Sequence, residues 1–149
     1  MLLKIRLAVC AAGLFVAAGT LSAGEKGLMH CFAYTVRDNV TDADWQAFYK
    51  ATDALPGKIP GVKRVWYGKL LRPLPQFSPD AAGRKKLNAG EKAVTGEVTR
   101  QLRQYGVCME MESEAALKTY ADHPAHKEWV AVYDKVRVPG TTTFDIVAQ

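Results

Sequence analysis

The 149-residue chain carries three histidines, and two of them, His123 and His126, stand in the short run "YADHPAH" (120–126) with Tyr120. An imidazole that titrates near neutrality can take a proton from carbon beside a carbonyl. A tyrosine hydroxyl close by can donate to the enolate oxygen as charge builds there. Tyr120 and His126 flank a helix break, so their side chains can converge although six positions separate them. They form the candidate catalytic pair, His126 as base and Tyr120 as donor. A structural reading stands beside this one: a histidine after such a corner can bond a backbone carbonyl and hold the turn, and a tyrosine at a helix end can simply pack. A metal would have the neutral ligands His30, His123 and His126, fewer than a closed four-ligand site needs. Neither a metal nor a cofactor is expected.

The surrounding pattern says which elements would position these groups. His123 precedes Pro124, which disfavours continuing a helix through it, and proline suits the first turn of a new one. In that new helix His126, Trp129, Val130 and Tyr133 fall at i, i+3, i+4 and i+7, an inward stripe. The preceding helix is capped by Ser113 and turns Leu117, Tyr120 and Ala121 inward. Facing them, "MHCFAYTV" (29–36) reads as a strand with His30, Phe32, Tyr34 and Val36 on one side. The candidate ligand-lining set is therefore His30, Phe32, Tyr34, His123, Trp129 and Tyr133. Cys31 and Ala33 lie on the strand's other side, and neither side is polar enough for open water.

Thr41 is a plausible N-cap for a helix with Asp42 and Asp44 in its first turn. Trp45, Phe48, Tyr49, Thr52 and Leu55 then make a core stripe that ends at Pro56 and Gly57. Strands follow at Gly61–Leu71, Gln104–Met111 and Thr141–Val147. Between the first two of these, residues 72–100 contain Pro73, Pro75, Pro79 and the polar run "AAGRKKLNAGEK". They read as an insertion, either a flap or a partly disordered segment, with Arg84, Lys85, Lys86 and Lys92 in solvent. The order β-α-β, insertion, β-α-α-β gives an α+β fold: a ferredoxin-like four-stranded antiparallel sheet with helices on one face. The opposite face, with Cys31, Ala33, Gly106 and Cys108, is too small and apolar to stay open. Its simplest cover is a second copy of the same sheet, so the chain is expected to be a homodimer.

The N-terminus has a different character. Lys4 and Arg6 precede "LAVCAAGLFVAA" (7–18) and then the small-residue stretch "GTLSAG". That is the layout of a secretory signal peptide at 1–23, cleaved after Ala23, with an uncleaved anchor as the alternative. Residues 24–149 then form one exported domain, secreted or periplasmic, with no stable membrane association. Removing Lys4 and Arg6 lowers the formal charge from +5 to +3, too weak a balance to suggest nucleic acid. An oxidising compartment permits a bridge between Cys31 and Cys108; their apolar settings favour two separate buried thiols.

With these motifs placed, residues 29–147 resemble the stress-responsive α/β-barrel (Dabb) family. "MHCFAYTV", "IPGVKRVWYGK", "MEMESEAALKTYADHPAH" and "FDIV" are similar to its strands and its strand–helix–HPAH run. The resemblance implies ferredoxin-like chains pairing as a dimeric α+β barrel, most with no assigned reaction, here a small-ligand-binding module for an apolar or carbonyl-containing molecule. It also implies an alternative, an acid–base enzyme of the polyketide cyclase or lyase kind. A plant branch of the olivetolic-acid-cyclase type closes linear polyketides by an aldol reaction with a tyrosine and a histidine that match Tyr120 and His126. His30 matches a further histidine of that pocket. The insertion at 72–100 departs from the family pattern.

Overall fold

A computed structural model describes residues 26–149; the segment read as a signal peptide lies outside the described residues. The elements are β1 (Leu28–Tyr34), α1 (Asp42–Asp53), α2 (Leu55–Lys58), β2 (Val62–Pro79), α3 (Ala81–Asn88), β3 (Val98–Met111), α4 (Glu114–Asp122), α5 (Pro124–Val136) and β4 (Thr142–Val147). The four strands make one sheet in the order β2-β3-β1-β4, and every neighbouring pair is antiparallel. This is the ferredoxin-like α+β arrangement expected from the element order.

Local chemistry sets each boundary. Thr41 caps α1 in a reciprocal box: its hydroxyl accepts from the Asp44 N–H at 3.2 Å, and Asp44 Oδ2 accepts from the Thr41 N–H at 3.1 Å. Ser113 accepts from the Ala116 N–H and starts α4. Gly61 has φ +83°, and a Cβ there would lie 2.4 Å from Ala116 Cβ, so only glycine lets the turn before β2 pass under α4.

The core lies between helices and sheet. Phe32 and Tyr34 of β1 pack with Phe48 of α1 and with Trp129 and Tyr133 of α5. Tilted and edge-on ring pairs of this kind fill space densely and add to area burial. One polar link runs through it: the Trp129 Nε1–H donates to Thr52 Oγ1 at 2.9 Å, and that hydroxyl donates to the Phe48 carbonyl at 2.7 Å.

Two expectations are corrected. The insertion is ordered structure: β2 and β3 continue past the core as a two-stranded ribbon, pairing Leu74–Pro79 with Val98–Arg103 and closed by α3 at its tip. Its prolines fit because β2 is an edge strand, where a missing N–H costs no ladder bond when it faces out. The ribbon leaves the core sheet at a large bulge, where the register jumps from Lys69↔Tyr105 to Leu74↔Arg103. Leu71, within the bulge, is 97% exposed. The second correction concerns the cysteines. Cys31 and Cys108 sit directly opposite each other on β1 and β3, Cα atoms 4.1 Å apart, and form a disulfide. Register, which a sequence does not reveal for one residue, places the two sulfurs on the same side of adjacent strands.

Candidate functional site

The corner at His123 does two jobs with one residue. Its extended backbone (φ −68°, ψ 138°) suits a position before proline, and its Nδ1 accepts the Ala125 N–H at 3.1 Å. His123 is therefore the N-cap of α5. It does not line the cleft, contrary to the sequence expectation. Tyr34 does not line it either: it is fully buried beneath Tyr133, ring centroids 5.0 Å apart.

The corner swings His126 back against Tyr120, with ring centroids 4.2 Å apart. His30 reaches the same place from β1, its ring 5.8 Å from Tyr120. These three, with Phe32, Trp129 and Tyr133, line a cleft of about 160 Å³ between α4, α5 and the sheet. The rest of the lining is Val130, which the sequence places on the inward stripe, and Arg137, Thr141 and Thr143, which it does not single out. That size suits a small, slender molecule and is below the range of drug-sized pockets.

Two contacts fix the imidazoles. His126 Nδ1 lies 3.1 Å from the Ala121 carbonyl oxygen. A carbonyl only accepts, so Nδ1 must carry the hydrogen and Nε2 of neutral His126 holds the lone pair. His126 is half-buried, and one ring nitrogen is left for a ligand. His30 Nδ1 lies 2.6 Å from Asp145 Oδ1. The carboxylate accepts from Nδ1–H and orients that ring too. Asp145 was missed from the sequence. It stands directly opposite His30 in the β1–β4 register, and its one signal was an acid inside the otherwise apolar "FDIV". Burial raises the Tyr120 pKa well above the usual tyrosine value, so its hydroxyl stays a donor at neutral pH.

A larger hollow, about 450 Å³, lies on the opposite sheet face, with Cys31, Ala33, Trp66, Gly106, Cys108 and Phe144 in its wall. It holds no histidine and no acid. It is the apolar face that the sequence pattern assigns to a second copy.

No protein-family model matches the chain, and no curated protein sequence matches it. Solved structures do share its fold. A Dabb family protein with a ferredoxin-like fold from Mesorhizobium loti aligns with TM-score 0.53 at 15% identity, covering 84% of this chain and 99% of that one. A dimeric ferredoxin-like protein of unknown function from Thermobifida fusca aligns with TM-score 0.54 at 18% identity, covering 83% and 92%. A hydroxynitrile lyase from Passiflora edulis aligns with TM-score 0.56 at 10% identity, covering 83% and 94%. At such identities the shared property is the fold. The chain is a ferredoxin-like α+β protein of the kind seen in Dabb structures, with a histidine-lined cleft between its helices and sheet.

Proposed function

We propose that the chain is an exported Dabb-type protein, a homodimer through its open sheet face, that binds a small ligand in the histidine cleft. The observation that carries the reading is the state of His126. Its Nδ1–H is spent on the Ala121 carbonyl, which leaves Nε2 free beside Tyr120 in a cleft of about 160 Å³. A histidine kept only to hold the turn would have no need of that room. The cross-strand disulfide supports export, since such bonds persist in oxidising compartments. The dimeric Thermobifida fusca protein supports the pairing.

A second reading, an acid–base enzyme, is favoured by one further contact. Tyr120 stands against His126, so a carbonyl oxygen bound at the tyrosine hydroxyl would put its neighbouring carbon near Nε2. His126 would take that carbon's proton while Tyr120 donates a hydrogen bond to the enolate oxygen. A hydroxynitrile lyase shares the fold.

The test is a thermal-shift screen of small carbonyl compounds and alcohols on the mature chain and on His126→Ala. Binding to the native state raises the melting temperature, and the expected hits disappear in the variant. Hits that persist unchanged would place the ligand elsewhere and end this reading.

A further inference from the structure

The two ends of the cleft carry opposite charge. At the His30 end stands the Asp145 carboxylate. At the other end Arg137 lines the wall, its guanidinium stacked 4.7 Å over the Tyr133 ring. Arg137 gives Nε and Nη2 to one oxygen of Asp134, at 2.8 and 2.7 Å, and retains Nη1 for another acceptor. Arg37, outside the cleft wall, donates its Nε to the Arg137 carbonyl at 2.8 Å.

A third guanidinium lies deeper. Arg103 is 2% exposed, and its bonds go to Gln76, Gln101 and Thr35, all neutral. An arginine cannot shed its charge, and a buried charge without a counter-ion is costly. Beside it, the hydroxyl of Tyr133 is buried with no hydrogen-bond partner, although Tyr133 lines the cleft. Of these guanidinia Arg137 lines the cleft; it is paired with Asp134 through Nε and Nη2 and keeps Nη1. An anion bound in the cleft would be taken by Arg137 Nη1.

Between the ends the wall is apolar, formed by Phe32, Trp129 and Val130. From His126 to Tyr133 is seven residues of α5, roughly 10 Å at about 1.5 Å per residue. We propose that the cleft takes a slender monocarboxylate, its carboxylate at Arg137 and its carbonyl at Tyr120 and His126. The Asp145 carboxylate repels the anion from the histidine end, so the ligand enters in one orientation. This inference rests on the histidine cleft being a ligand site and adds the class of ligand.

Calorimetric titration of the mature protein with 7-oxooctanoate, 4-oxopentanoate and 2-octanone tests it. The long keto acid spans both ends, the short one cannot, and the ketone lacks the charge. The expected order puts 7-oxooctanoate about tenfold or more ahead of 2-octanone, the usual size of a charge-assisted bond, and ahead of 4-oxopentanoate. Arg137→Gln brings 7-oxooctanoate down to the level of 2-octanone and leaves the ketone unchanged. Asp134→Asn, at a half-exposed position, frees Arg137 and tightens the keto acid alone. Equal affinity for 7-oxooctanoate and 2-octanone, both weakened by His126→Ala, would overturn the carboxylate while leaving the ligand site intact. Equal affinity for the two keto acids would overturn the spanning geometry. No binding of any of the three would overturn the ligand class, and the separate screen would then decide the site.

Discussion

At the residue scale, the chemistry of the cleft is set by what each imidazole has already bonded. His126 gives Nδ1–H to the Ala121 carbonyl, His30 gives Nδ1–H to Asp145, and His123 uses its Nδ1 as an acceptor in the cap of α5. Three histidines close in sequence or space therefore have three different duties. The helical spacing of His126, Trp129 and Tyr133 made the inward direction of His126 legible from sequence. The role of His123 was not, because a cap depends on a backbone angle at a single residue. Asp145 was hidden because its partner lies 115 positions away. The bond between Trp129 and Thr52 gives a residue-scale prediction. Thr52→Val keeps the shape but leaves a buried indole N–H unpaired, which costs about 1–3 kcal/mol. Urea unfolding followed by tryptophan fluorescence reads the loss; an unchanged midpoint would show that the indole finds another acceptor.

At the element scale, the helices and inner strands followed their apolar periodicity, and the ribbon did not. Three prolines and a lysine-rich run resemble a loop, yet the edge position of β2 tolerates the prolines, and Asp80 caps α3 by accepting the Gly83 N–H at 2.7 Å. The ribbon's base is also anchored. Gln76 of β2 accepts from Arg103 of β3 and from the Thr142 hydroxyl of β4. Such long-range polar ties have no signature in a window of ten residues. The disulfide joins the two central strands across 77 positions. Closing a loop of that size restricts the unfolded chain, so Cys31→Ser with Cys108→Ser lowers stability by about 2–5 kcal/mol. Denaturation of the double variant against the oxidised parent checks this, and an unchanged midpoint would mean the bond is absent in the folded protein.

At the scale of the whole molecule, the sheet has one covered face and one open face. Trp66 is 44% exposed and Phe144 48%, and both border the hollow above the disulfide. Their exposure beside Cys31 and Ala33 is what the homodimer would remove, as the small-residue pattern of β1 and β3 already suggested. Light scattering on a sizing column is expected to give twice the chain mass, and Phe144→Lys, which places a charge on that face, is expected to return a monomer. A monomeric parent protein at micromolar concentration would refute the pairing. The cleft lies on the other side of the sheet, so the Phe144→Lys monomer should keep its ligand. The central claim concerns Nε2 of His126, and ring-nitrogen NMR of residues 24–149 addresses it most directly. The account predicts a neutral ring protonated at Nδ1, whose Nε2 signal moves when a hit from the screen is added. A ring protonated at Nε2, or one indifferent to every ligand, would contradict it.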